Sequence, residues 1–348
     1  MRQGVPLVCH SGAVRKATEA VLLVGGQGTR LRPLTVNTPK PMLPVAGLPV
    51  TEHQIARARE AGVTRVILGT SYRPEVFRDH FGDGEHLGVE LVYATEDEPL
   101  GTGGAIRHVA SLLRSGPDDP VLVFNGDVLT GVDLGALLEV HSDREADVTL
   151  YLTRVDDPRA YGLVPTDELG RVTAFLEKPQ TPEEIVTDQI NAGCYVFRRS
   201  VIDAIPSGRV VSVERETFPE LLSRGALVVG VVDDGYWLDL GTPLAYVRGS
   251  CDLVLGLAPS PAMAGLTGDF LVLDGAVVSP EAVLSGGTCV GAGAVVGPGA
   301  VVEGSVLLAG ASVGASAVVR ASAIGRDAAV GAGSVLHGAV LADGCRIG

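Results

Sequence analysis

From Thr18 to Leu240 the chain alternates short apolar, β-branched runs with amphipathic stretches. Seven runs have strand character: AVLLV (20–24), RVILG (65–69), ELVYA (90–94), VLVF (121–124), DVTLYLT (147–153), CYVF (194–197) and LVVGVV (227–232). Between them, residues 53–62, 103–114, 134–144 and 213–224 space their apolar positions as helices do. Strands alternating with helices predict a Rossmann-like α/β layered domain with a mostly parallel mixed sheet.

Beyond Val278 the pattern changes. Aliphatic residues recur at Val278, Leu284, Val290, Val296, Val302, Leu308, Val313, Val319, Ile324, Val330, Leu336, Leu341 and Ile347, always six or five residues apart. Small Gly, Ala and Ser fill much of the space between, which permits tight corners. One inward aliphatic per short strand is the signature of hexapeptide repeats and predicts a left-handed parallel β-helix of about four turns. A flexible Gly/Ala linker would not keep its aliphatics in step. The expected organisation is an N-terminal extension (1–18), a catalytic domain (19–247), a linker (248–273) and the coil (274–348). The linker is expected to be partly helical over GSCDLVLGL and to turn at Pro259 and Pro261. An open coil end exposes an edge, which predicts a covering partner or further residues and favours a homo-oligomer.

Composition narrows the class. A formal net charge of -14 argues against a nucleic-acid partner, which needs a clustered basic surface. No run of 18 apolar residues suggests a membrane span, and VPLVC near the N-terminus is too short for a signal-peptide core. The five cysteines form no metal-binding or disulfide spacing, which suits a reducing cytoplasm.

The most informative segment is AVLLVGGQGTRLRPLTVNTPKPMLP (20–44). A strand runs directly into Gly25-Gly26-Gln27-Gly28-Thr29-Arg30, where glycines let backbone N–H groups close around an anion. Arg30 adds a planar fork for phosphate oxygens. Neither the GxxxxGK[ST] loop nor GxGxxG is present. Pro33 and Pro39-Lys40-Pro41 stiffen the continuation, so Lys40 suits charge stabilisation on a transferring phosphoryl group. Asp127 and Asp239 each follow an apolar run, in NGD and WLDLG. At parallel strand ends both would face the ligand crevice and suit Mg²⁺. An aspartate there equally serves as a helix cap or turn residue.

GGQGTRLRPLT…TPKPMLPVAGLPV resembles the fingerprint of nucleotidyltransferases that make NDP-sugars, particularly GDP-mannose pyrophosphorylases. The likeness runs from about Ala20 through Gly249 and continues into the coil. It implies that NGD and WLDLG are metal positions, with Asp127 and Asp239 holding Mg²⁺. It implies an NTP site made by Leu23, Gly25, Gly26, Gly28, Thr29 and Arg30 together with Glu96, Gly101, Thr102 and Gly103 of EDEPLGTGG. YG, EKP and NAG match sugar-binding positions, which places Gly162, Glu177, Lys178 and Asn191 on the sugar 1-phosphate. Arg30, Lys40 and Asp127 are then the catalytic residues of an in-line displacement at the α-phosphorus, forming an NDP-sugar and pyrophosphate.

TPKPMLP, EDEPLGTGG, INAGCYVF, SVERETFPEL and GYWLDLGTP resemble mannose-1-phosphate guanylyltransferases more than thymidylyl- or uridylyltransferases, and that resemblance implies GTP and mannose 1-phosphate as substrates. Thymidylyl or uridylyl transfer to glucose 1-phosphate is the alternative. A non-catalytic regulatory subunit is a third reading, which retention of Arg30, Lys40, Asp127 and Asp239 disfavours. Trp237, the single tryptophan, is expected to pack in the core beside Asp239. His337 in the coil suggests an acyltransferase histidine only weakly, since no long loop interrupts the repeat.

Overall fold

A computed structural model describes residues 16–26 and 28–348. Most of the expected N-terminal extension, and Gln27 of the glycine-rich loop, lie outside the described residues. The described residues of the first part of the chain form thirteen strands: β1 (Glu19–Leu23), β2 (Pro44–Val45), β3 (Leu48–Pro49), β4 (Arg65–Thr70), β5 (Glu90–Thr95), β6 (Pro120–Asn125), β7 (Val128–Thr130), β8 (Val148–Arg154), β9 (Gly162–Leu163), β10 (Leu176–Glu177), β11 (Gln189–Arg198), β12 (Val228–Val232) and β13 (Trp237–Asp239). Its helices are α1 (Val50–Glu60), α2 (Pro74–Phe81), α3 (Gly101–His108), α4 (Leu134–Asp143), α5 (Arg199–Ala204), α6 (Phe218–Ser223) and α7 (Pro243–Val254).

Nine strands form one mixed sheet, in the order β10-β9-β11-β6-β1-β4-β5, with β8 paired to β11 and β12 to β8. The half β6-β1-β4-β5 is parallel, and β11 runs antiparallel to both β6 and β8. Alternation along β1 shows why a nearly all-apolar run was needed. Ala20 and Leu22 enter one core with Ile55, Phe77, Phe81 and Leu137, while Val21 enters the other with Ile106, Ile202 and Phe218. Both faces are buried, as parallel strands require.

All seven expected strands form. The stretch 103–114 divides into α3 and a 3-10 segment, Val109–Leu112, and 213–224 starts as a π-turn before α6. Helix α2 was not expected, because only Phe77 and Phe81 mark its buried face. Full burial of each contributes about 1.5–3 kcal/mol, enough to anchor a short helix that has no longer apolar period.

The coil comprises fourteen short strands from Phe270–Val272 to Arg346–Ile347, stacked in three parallel sheets of five, five and four. Its first strand therefore precedes residue 274. The inward residue of the sixth expected face is Leu307, since Val290, Leu307, Ile324 and Leu341 pair in one ladder. Leu308 points outward and is buried with the catalytic half instead. The cause is a change in turn length. Val272 pairs with a residue eighteen positions on, whereas Val290 and Leu307 pair with residues seventeen on. Gly286 and Gly287 form one corner of the first turn in left-handed backbone; a single such residue, Gly304, Ala321 or Gly338, does so in the turns above. There Thr288, Ser305 and Ser322 stack as buried hydroxyls, each accepting an N–H from the next level: Ser305, Ser322 and Ala339.

Helix α7 crosses the expected boundary at 247/248 and is largely buried. Tyr246, Val247, Cys251 and Val254 share a core with Cys289, Val306, Leu308 and Ala323 of the coil. Gly287 sits so close that a Cβ would lie 2.6 Å from the Cys251 carbonyl oxygen. Asn37, just before Lys40 in sequence, donates to Asp343 Oδ2 at 3.3 Å across the same junction. Among the described residues no helix is long and apolar enough to cross a membrane.

Candidate active site

A cleft of about 320 Å³ opens at the carboxyl ends of β1, β4 and β6, where open α/β sheets place their ligands. Leu23, Gly25, Gly26, Lys40, Glu96, Gly101, Thr102 and Asp127 line it, joined by Ser71, Asn125 and Gly126. A larger cavity of about 540 Å³ lies between the β2–β3 hairpin, α2 and the coil. It contains none of the expected site residues, whereas the smaller cleft gathers eight of them.

Close backbone approach explains the glycines. A Cβ on Gly25 would fall 2.4 Å from Ser71 Oγ, which donates to the Gly25 carbonyl at 2.8 Å. Gly28 has φ 60° and would drive a Cβ to 2.7 Å from the Lys40 Cβ. Gly26 has open space on its Cβ side. Thr29 and Arg30 are exposed in the 3-10 turn that follows, outside the cleft wall.

Lys40 begins another 3-10 turn and is only 8% exposed. Its Nζ donates to Asp127 Oδ2 at 2.8 Å and to Asp239 Oδ1 at 3.5 Å. Arg30, 68% exposed, stands 4.0 Å from Asp239 Oδ2. The short pairing of β7 with β13 brings the two acids together: Val128 faces Asp239, and Leu240 N–H donates to the Asp127 carbonyl at 3.0 Å. Lys40, Asp127 and Asp239 thus form one cluster, with Arg30 at its edge. Asp127, 41% exposed, lines the cleft, and Asp239 joins it through Lys40 without lining the wall; two hard carboxylates so close suit a hard divalent cation. Among the described residues no group of three or more His, Cys, Asp or Glu could hold a metal. Water and phosphate oxygens would complete the shell, as Mg²⁺ prefers.

Glu96 is buried and accepts from Leu100 N–H at 2.9 Å, closing the loop that leads into α3. Thr102 Oγ1 donates to Glu214 Oε2 at 2.7 Å and accepts from Val213 N–H at 2.9 Å. Gly103 is turned away from the cleft: its N–H donates to the Val211 carbonyl, and a Cβ would meet the Val211 side chain at 2.8 Å. Its glycine is explained by packing.

Of the expected sugar-side residues, Gly162, Glu177 and Asn191 lie on β9, β10 and β11, and Lys178 follows the end of β10. Gly162 pairs with Glu177, and a Cβ there would sit 2.8 Å from Glu177 Oε2. Lys178 adopts a left-handed φ of 52° and holds its ammonium 3.5 Å from Glu177 Oε1. Asn191 Nδ2 donates to Tyr195 Oη at 2.7 Å, and the Asn125 side chain also bonds that phenol. Tyr195 therefore joins the expected sugar side to the nucleotide cleft, and burial holds its pKa well above the ordinary value. Trp237 is half-buried and packs against one core, as expected. Its Nε1 donates to the Ala192 carbonyl at 2.9 Å, and its ring meets Tyr161 edge-on at 5.4 Å. Burial first, then the Asp239 carboxylate, raise the Tyr161 pKa.

Ser71, Asn125, Tyr195 and Glu214 were missed in the sequence. Ser71 and Asn125 had one available signal, their position at carboxyl ends of β4 and β6. Tyr195 and Glu214 had none, because the contacts that tie them to the cleft, with Asn125 and Thr102, are remote in sequence.

A glycine-rich loop after β1, a buried lysine and two carboxylates paired to it are the side chains that a nucleotidyl-transfer site needs. The nucleotidyl transferase family model matches residues 19–254, and the GMPPB C-terminal domain model matches 266–348. The chain belongs to the nucleotidyl transferase family, within its GDP-mannose pyrophosphorylase branch. It is 61% identical over 270 residues to a mannose-1-phosphate guanylyltransferase of Mycobacterium tuberculosis, covering 77% of this chain and 74% of that one. It is 37% identical over 281 residues to a mannose-1-phosphate guanylyltransferase catalytic subunit beta of Drosophila melanogaster, covering 80% and 74%. Among solved structures, HddC from Yersinia pseudotuberculosis complexed with GMP-PN superposes with a TM-score of 0.58 at 28% identity, covering 68% of this chain and 99% of that one. Nucleotidyltransferases of this family typically use a divalent metal.

Proposed function

We propose that this chain transfers a guanylyl group from GTP to mannose 1-phosphate, forming GDP-mannose and pyrophosphate with Mg²⁺ as cofactor. The observation that carries the reading is the buried Lys40 ammonium set between Asp127 and Asp239 on the cleft that also holds the glycine loop. The named relatives supply the base and sugar.

A phosphate oxygen of mannose 1-phosphate attacks the α-phosphorus of GTP, a P–O bond forms, and the bond to pyrophosphate breaks. No side-chain nucleophile is needed, so positioning and charge stabilisation account for the rate. Gly25, Gly26, Gly28 and Thr29 receive the triphosphate through backbone groups, and Arg30 draws charge from the departing pyrophosphate. Lys40 faces the α-phosphate. Asp127 and Asp239 hold the Mg²⁺, which when bound neutralises charge on the phosphates. Leu23, Glu96, Gly101, Thr102 and Gly103 shape the base pocket, with Gly103 acting through the packing of α3. Gly162, Glu177, Lys178 and Asn191 hold the sugar phosphate. Buried reduced thiols at Cys194, Cys251 and Cys289 support a cytoplasmic enzyme. Exposed Val277, Val283, Val295 and Val335 on the coil support a homo-oligomer.

Pyrophosphate release measured across GTP, UTP, dTTP and ATP with mannose and glucose 1-phosphates tests the proposal. The pair GTP and mannose 1-phosphate is expected to give the highest kcat/KM, by at least about tenfold. A maximum with dTTP or UTP and glucose 1-phosphate would overturn the substrate assignment. Silence with every pair would instead favour a regulatory subunit.

A further inference from the structure

Helix α1 forms no part of the cleft wall, yet two of its polar side chains reach the turns that carry the central ion pair. Thr51 Oγ1 donates to the Pro41 carbonyl at 3.0 Å, one residue beyond Lys40. Gln54 Nε2 donates to the Asn125 carbonyl at 2.7 Å and the Val128 carbonyl at 3.1 Å, on either side of Gly126-Asp127. Thr51 is fully buried and Gln54 nearly so. Three residues apart, they share one face of the helix.

Two carbonyl acceptors fix which end of the Gln54 amide is nitrogen. The other end, Oε1, has no hydrogen-bond partner among the described residues. A buried acceptor left unmet costs stability that a methionine of similar length would not incur. The amide is therefore better explained by what its donors hold than by stability. The loop it holds depends on few other ties, chiefly Gly126 N–H to the Leu23 carbonyl and Leu240 N–H to the Asp127 carbonyl.

We propose that Thr51 and Gln54 are positioning residues, a clamp on α1 that sets the Lys40 ammonium against the Asp127 carboxylate. This rests on the roles proposed above for Lys40 and Asp127. Thr51 fixes the lysine turn, and Gln54 fixes the carboxylate turn. Because both anchors are on one rigid helix, the separation of the two charges is held to the scale on which a misplacement of about 1 Å costs about 10²-fold in rate.

Gln54→Met is expected to lower kcat about 10–100-fold, the usual effect of losing a partner that orients a metal ligand. KM for both substrates should change little. Mn²⁺ titrated into the enzyme alone and followed by electron paramagnetic resonance should bind about 10-fold more weakly, while the melt stays cooperative with a modestly lower Tm from the two carbonyls left without a donor. Thr51→Val should lower kcat comparably without weakening Mn²⁺ binding, and Thr51→Ser, which keeps the hydroxyl, should restore most of the turnover. The double variant Thr51→Val, Gln54→Met should lose less than the product of the single losses. Equal losses in Thr51→Ser and Thr51→Val would reduce Thr51 to a packing role and overturn its half of the clamp. A Gln54→Met enzyme with wild-type kcat and Mn²⁺ affinity would overturn the other half. If Asp127→Ala itself turned over normally, the functional reading would fail first, and the clamp with it.

Discussion

An enzyme carrying Asp127→Ala is expected to lose about 10³-fold or more in turnover while remaining folded. The carboxylate is 41% exposed on the cleft and lies 2.8 Å from the Lys40 ammonium, so under the proposed mechanism its removal takes away a metal ligand and part of the lysine's alignment together. Loss of a single preorganised charge-stabilising group at a reacting centre commonly costs about 10²–10³-fold, and a metal ligand belongs at the upper end. Stability should change far less. Asp239 still faces Lys40 at 3.5 Å, and the partial exposure of Asp127 limits the effect to about 1 kcal/mol. Pyrophosphate release beside a thermal melt separates the two quantities. Near-normal turnover in the folded variant would remove Asp127 from the mechanism.

Lys40→Met should behave differently in one diagnostic respect. Turnover is expected to fall about 10²–10³-fold, because the α-phosphate loses the cation opposite it. Yet the two carboxylates would then face one another without the ammonium that now joins them. Like charges brought together without a counter-ion attract a cation more strongly, so Mn²⁺ should bind the free variant more tightly than the parent. Asp127→Ala should shift that affinity the other way. Equal or weaker Mn²⁺ binding by Lys40→Met would mean that the lysine does not compete with a metal for these acids.

The sequence was most legible where one local pattern decided the structure. The apolar run of β1 could be read directly, since burial on both faces leaves little room for polar residues. Lys40 stood out by its place between prolines beside the glycine loop, whereas Asp127 and Asp239 read equally as turn residues until the resemblance to nucleotidyltransferases singled them out. Other features were decided by partners far along the chain. In VLLAG, Leu307 and Leu308 are equivalent on inspection, and only the seventeen-residue pairing places Leu307 inside. Gly103 looked like a ligand-facing glycine but is required by Val211, more than a hundred residues away. Thr51 and Gln54 read as ordinary polar helix positions, because nothing nearby in sequence records the carbonyls they meet.

The packing between α7 and the first turns of the coil means that the repeat is not a detachable tail. Tyr246, Cys251 and Val254 are covered on one side by Cys289, Val306 and Leu308. A minimal version ending near Gly265 would strip that cover and leave an oily flank in water. The shortest enzyme worth making therefore keeps the lower storeys of the solenoid, however little they touch the nucleotide.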